Sequence, residues 1–173
     1  MGVIGKLEPE VGRHLLRDEG EVIVDEVHKH WVAYVRPAAE ALVGAVLLAV
    51  FPFVDLDIAW VPLLVAGGIF VHAAWLALSN NMDRFVITNM RVYRVHGVLS
   101  RQLATMPLIR ILDITVAKPL IGRILGYGHF VFESAAQEQG LREIRYVGRP
   151  DERDLSIQRV VQRAGLRGPR VIN

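Results

Sequence analysis

Three features predict an α+β fold in which a two-helix apolar hairpin precedes an antiparallel β module closed by a C-terminal helix. Two long runs, 38–54 and 58–78, are almost free of charge, the first holding only Glu40 and the second only His72. Six short β-branched and aromatic runs follow. The chain then returns to helical spacing before a basic tail. The 173 residues suffice for one ordinary domain, and the 52% apolar fraction and mean hydropathy of +0.32 are high because of those two runs.

At about 1.5 Å per helical residue the runs reach roughly 25 and 32 Å, against the ~30 Å hydrocarbon core of a bilayer. Together they are too long for one crossing, so FPFVDLDIAW, with Asp55 and Asp57, reads as the tip of a transmembrane helical hairpin. Asp57 is expected to cap the second helix, and Pro62 is tolerated near its start. The alternative is a buried helical pair in a soluble protein. None of the 20 Lys and Arg residues lies between Pro37 and Asp83, whereas Lys29 and Arg36 precede the first run and Arg84, Arg91 and Arg94 follow the second. The positive-inside rule then places both termini in the cytoplasm and the acidic tip outside. Trp31, Tyr34, Trp60 and Trp75 fall near the expected interfaces. A multi-pass protein of a bacterial inner membrane is the expected location. No stretch before the first run resembles a cleavable signal, and Lys6 stands where myristoylation wants a hydroxyl.

Charge is uneven. Residues 1–36 carry five Lys or Arg against seven acids, whereas 84–173 carry fifteen against seven, a net +8. A basic domain tethered beneath an anionic leaflet gains about 1 kcal/mol per cation close to the surface. Anionic inner-leaflet lipid is therefore an expected partner, and no reading helix or arginine-aromatic run points to nucleic acid.

The strands are expected in RFVITN, MRVYRVHG, LSRQLATM, RILDITVA, HFVFESA and LREIRYV, with QEQG as the last hairpin turn. In RILDITVA, Leu112, Ile114 and Val116 share one face and Asp113 and Thr115 the other. Val22, Val24 and Val27 form an N-terminal alternation that could add a strand to the later sheet. In PDERDLSIQRVVQRAG, Ile157, Val160, Val161 and Ala164 repeat at i, i+3, i+4 and i+7, with Asp151 as the expected cap and Gly165 as the stop. That stripe needs either the sheet or the membrane surface as its cover. The resulting boundaries are an N-terminal segment at 1–36, the hairpin at 37–82, the β domain at 83–165 and a tail at 166–173.

The chain over 17–164 resembles the bacterial pleckstrin-homology-like, membrane-flanked domain family. The likeness is carried by Thr88 and Arg91 opening a strand, Gly97 at its turn, Pro107 before IRILDITV, and Gly122, Arg123, Leu125, Gly126 and Gly128 before the next strand. RDEGEVIVDEVHKHWVAYVRP also looks like the family's lead-in to the first span. The resemblance implies a partly open antiparallel barrel closed at one end by a C-terminal helix and set against the cytoplasmic membrane face. It implies no chemistry, and kinship with phosphoinositide-binding domains does not establish that ligand.

The residues offer no catalytic constellation. Ser100 and Ser134 lack a nucleophile elbow, GRILGYG lacks dinucleotide-loop spacing, and the absence of cysteine removes thiolate chemistry. His28 and His30 share a strand face without a third ligand beside them, so neither metal nor cofactor is expected. Candidates for lipid or partner binding are Arg84, Arg91, Arg94, Lys118 and Arg123, each of which could equally be a solvated strand residue. Within the hairpin, Glu40 and His72 lie sixteen residues either side of Leu56, and Gly44 and Gly68 lie twelve either side. The glycines are expected to permit a close crossing at which Glu40 and His72 meet. Otherwise Glu40 snorkels into the headgroups and His72 bonds a backbone carbonyl.

The function these readings favour is a non-enzymatic, membrane-anchored adaptor or scaffold that binds protein or anionic lipid, with another copy of itself among the possible partners. The rival is an accessory subunit of a larger integral membrane assembly, respiratory, transport or secretory, docked through the hairpin.

Overall fold

A computed structural model describes residues 15–55, 57–134, 141 and 143–163. The chain divides into two compact units, Trp31–Asn81 and the remainder on both sides of it. The hairpin unit thus begins earlier than the expected 37, and part of the segment expected at 1–36 belongs to the β unit.

In the hairpin unit a 3-10 turn at Trp31–Tyr34 leads into α1 (Val35–Val50), a second 3-10 turn covers Phe51–Phe53, and α2 spans Trp60–Asn81. Both helices are shifted by a few residues from the expected 38–54 and 58–78. Asp55 and Asp57 are exposed at the turn. α2 begins three residues past Asp57, which is therefore not at the expected cap position; at the turn Ile58 N–H donates to the Asp55 carbonyl at 3.0 Å, and the Trp60 indole Nε1–H donates to the Asp57 carbonyl at 3.2 Å. Leu56, the reference point of the depth argument, lies outside the described residues.

Small residues form the helix seam. Ala59, Ala66 and Ala73 are buried at seven-residue spacing, with Pro37 and Gly44 buried on the other helix. At the open end, Asn80 Nδ2 donates to the Ala33 carbonyl at 2.8 Å. Trp31–Phe53 and Trp60–Asn81 are each long and apolar enough to cross a membrane by length and composition, and only 11% of an 18-residue apolar window in each is buried. Leu42, Val43, Val46, Leu64 and Val71 stand outward.

Among the described residues the β unit has seven strands in two antiparallel sheets. β1 (Ile23–Val27), β2 (Arg84–Thr88), β3 (Arg91–His96) and β4 (Gln102–Pro107) form one in chain order; β5 (Ile111–Ala117), β6 (Tyr127–Ser134) and β7 (Glu143–Gly148) form the other. β1 is the N-terminal alternation anticipated at Val22–Val27, and it pairs with β2, Val27 opposite Phe85. β1 and β2 flank the hairpin in sequence yet are neighbours in one sheet. The strands of the expected partly open barrel lie in two antiparallel sheets, linked among the described residues by a bridge between Lys29 and Val147, and they form no closed barrel. Between β4 and β5, Pro107 has no N–H to donate and a 3-10 turn at Leu108–Arg110 interrupts the ladder, so no continuous wall forms.

The main core lies between the sheets and includes Phe85, Ile87, Val92, Met106, Phe130, Phe132 and Ile144. Ile114 and Val116 pack against it, as their alternation anticipates. β2 is buried along its whole length, because Val86 belongs to a second cluster with Tyr93 and Val95.

The C-terminal helix, α4 (Pro150–Arg163), covers the main core with Ile157, Val160 and Val161, at most 6% exposed. This removes the alternative of a stripe lying on the membrane surface. Asp151 is not the cap: Pro150 takes the first helical position after Arg149, whose φ is +49°, which puts Asp151 inside the first turn. The proposed stop at Gly165, Ala164, the QEQG turn and the tail fall outside the described residues.

Candidate functional site

The polar centre of the β unit is built on the β2–β3 turn. Thr88 is fully buried; its hydroxyl donates to Glu21 Oε1 at 2.8 Å and accepts the Arg91 N–H at 3.0 Å. Asn89 clasps the N-terminal segment, accepting the Val22 N–H at 2.9 Å and donating to the Gly20 carbonyl at 3.1 Å. Arg91 then reaches Glu21 with two parallel bonds, Nε–Oε1 at 2.9 Å and Nη2–Oε2 at 3.0 Å. Glu21 is 3% exposed and also accepts the Leu16 N–H at 2.7 Å. Burial works to raise its pKa, but Arg91, the Leu16 amide and Thr88 outweigh it and hold the carboxyl below its ordinary value. The Arg91 guanidinium carbon also stands 5.8 Å from the centroid of the Tyr93 ring, whose phenol burial pushes up to about 12.

A second buried carboxylate takes two more cations. Asp83 accepts Arg94 Nε at 2.7 Å and Nη2 at 2.6 Å, and Lys29 Nζ lies 2.9 Å from its Oδ2. Burial again opposes ionisation, and Arg94 with Lys29 overcomes it, so the Asp83 pKa is lowered. This triad ties Lys29, two residues past β1, to Asp83, just before β2, and to Arg94 on β3.

The five predicted binding cations therefore do not converge on one ligand site. Arg91 and Arg94 are engaged by Glu21 and Asp83. Arg84 is buried at 6% exposure. Lys118 is paired with Asp151 of α4. Arg123 is exposed on the short helix α3 (Leu120–Leu125), and with Lys118, Gly122, Gly126, Pro150 and Asp151 it lines an open groove of about 230 Å³. Glu21 and Asp83 are the polar residues that sequence reasoning missed; the signal for Glu21 was an acid at the head of an otherwise apolar alternation.

The glycines of GRILGYG shape α3. Gly126, at φ +79°, terminates the helix, and a Cβ on Gly122 would fall 2.5 Å from the Tyr127 carbonyl oxygen. The helix is thus pressed on β6 through its glycine. Leu120, Ile121 and Ile124 are left 76%, 61% and 83% exposed.

In the hairpin, His72 Nδ1 lies 2.7 Å from Glu40 Oε2, and Arg36 Nε donates to Glu40 Oε1 at 3.1 Å. The Glu40 side chain is 26% exposed and that of His72 57%. They line an outward-facing groove of about 430 Å³ with Val43, Val65, Gly68 and Ile69. The two glycines have different settings. Gly44 packs against Phe70 and Ile69, while nothing stands within 4 Å of a Cβ placed on Gly68. Gly68 is therefore corrected from a crossing residue to a groove residue, because Ala66 and Ala73 carry the seam.

His28 and His30 do not converge. His28 sits 3.8 Å from Glu26, whereas the His30 N–H donates to the Tyr146 carbonyl at 2.7 Å and its ring meets Tyr127. Among the described residues no three His, Asp or Glu side chains are grouped to hold a metal ion. Residues 31–164 match the family model described as bacterial PH domain. Comparison with curated proteins and with solved structures finds no match to the chain.

Proposed function

The chain belongs to the bacterial PH domain family, and from that premise we propose that it is a non-enzymatic, membrane-anchored binding module whose cytoplasmic β unit holds protein partners or anionic lipid. The PH-like family is generally non-catalytic, which supports a binding role. The observation that carries the anchoring is the hairpin surface: two spans of 23 and 22 residues, with only 11% of an 18-residue apolar window buried in each. A helix pair from a soluble core would bury such residues, whereas a bilayer replaces water around them. β1 and β2 support a common side for both ends of the insertion, since the strands entering and leaving it are hydrogen-bonded to each other.

Pairing of Arg91 and Arg94 with buried acids shifts the binding role away from a concentrated cation pocket. Edge strands serve it better. Among the described strands β4 and β5 each pair with only one neighbour, so an extended peptide or a second copy can add to either edge.

The rival reading, an accessory subunit docked through the hairpin, is favoured by one observation: the groove holding Glu40 and His72 faces outward from the helix pair. Gentle detergent extraction and mass spectrometry separate the two. A stoichiometric set of integral proteins that is lost when Gly68 is enlarged supports the subunit; partners retained by that variant support the adaptor. For topology, the chain has no cysteine, so single cysteines at positions 55 and 100 report cleanly. An impermeant thiol reagent applied to intact cells should label the first and spare the second, and labelling of position 100 would overturn the arrangement.

A further inference from the structure

We propose that α3 is a second membrane contact, an apolar knuckle seated at the headgroup–acyl boundary of an anionic leaflet with Arg123 at its rim. This rests on the reading of the hairpin as a membrane anchor. The helix has one glycine facing inward and three large aliphatic side chains facing out: Leu120 at 76%, Ile121 at 61% and Ile124 at 83% exposure. Their exposure follows from construction. With Gly122 against the Tyr127 carbonyl and Pro119, the helix cannot roll its leucine and isoleucines inward without parting from β6. The main core gains nothing from them, so another apolar medium must account for their cost in water.

A bilayer fits better than a protein. Three side chains on a helix of fewer than two turns fall far short of the roughly 800 Å² per partner of a stable protein interface. For a domain already tethered by two apolar spans, a small insertion needs only to orient it. The charge suits an anionic surface: no acid lies between Lys118 and Phe132, Arg123 projects from the same helix, and Lys118 precedes it, paired with Asp151. The stem of Arg123 can lie along the apolar layer with its head in the phosphates.

The test uses the full chain, Leu120→Cys, labelled with an environment-sensitive fluorophore and reconstituted into phosphatidylcholine vesicles with or without phosphatidylglycerol. Nitroxide-bearing lipids should quench the label, more strongly with phosphatidylglycerol present. Ile121→Asp with Ile124→Asp should reduce that quenching several-fold, and Arg123→Glu should remove the phosphatidylglycerol preference, both with unchanged thermal unfolding. Intact flotation with the vesicles but no lipid quenching overturns the α3 contact and leaves the anchor standing. Failure to float overturns the anchor and, with it, this contact. Protection from an aqueous quencher that rises with protein density, without lipid quenching, also overturns it and assigns the knuckle to a second copy.

Discussion

Glu21 and Arg91, 70 residues apart in sequence, are joined by two hydrogen bonds of 2.9 and 3.0 Å that clamp the lead-in to β1 onto the turn between β2 and β3. The carboxylate is inaccessible and Thr88 holds its Oε1 at 2.8 Å. Removing one partner strands a buried charge, which costs more than the pair itself contributes. Glu21→Gln is expected to destabilise the β unit by about 3–5 kcal/mol, and Arg91→Lys by less, since one bond survives. Hydrogen exchange of the Val86 and Ile87 amides measures this; unchanged protection in Glu21→Gln would remove the clamp.

Acid should weaken the same region. The folded pKa values of Glu21 and Asp83 are both lowered, against the opposing effect of burial, by Arg91 and by Arg94 with Lys29. A depressed carboxylate contributes stability above its unfolded value, about pH 4, and loses it as pH falls through the folded value. Stability of the β unit is thus expected to be level above about pH 5 and to fall below about pH 4. Glu21→Gln with Asp83→Asn should flatten that acid limb. A limb of equal steepness in the double variant would assign acid sensitivity to other groups.

The two hairpin glycines make opposite forecasts. A side chain at 44 meets Phe70 Cε2 and Cζ at 3.3 Å, whereas one at 68 enters open space. Gly44→Leu is expected to lower the melting temperature of the detergent-solubilised protein, and Gly68→Leu to leave it nearly unchanged. Equal losses in both would mean that the seam runs through Gly68.

Glu40 and His72 should prove coupled. Their 2.7 Å contact predicts that Glu40→Gln and His72→Phe are each destabilising in detergent and that the double variant loses less than the sum. A measurable coupling is expected, as for other hydrogen bonds between membrane helices. Strict additivity would mean that the two side chains do not share a bond.

Much of this was legible in the residues. The contact between Glu40 and His72 was readable from equal distances to the hairpin tip, because helical rise is constant and antiparallel helices place such positions at one depth. The stripe of Ile157, Val160 and Val161 announced α4 and its buried face. Less legible was the fate of the cations. Arg91 and Arg94 look alike as surface charges in a strand alternation, and nothing local says that Glu21 and Asp83 lie beneath them.

By itself, then, the amino-acid sequence determined the apolar hairpin, the β-rich segments and the closing helix, since each depends on periodicity over one or two dozen neighbouring residues. Tertiary structure alone decided the pairing of Glu21 with Arg91, the division into two sheets at Pro107, the seam through Ala66 and Ala73 instead of Gly68, and the outward face of α3. Those outcomes depend on strand register and helix rotation, which are settled by contacts between residues far apart in the chain and leave no local period to read.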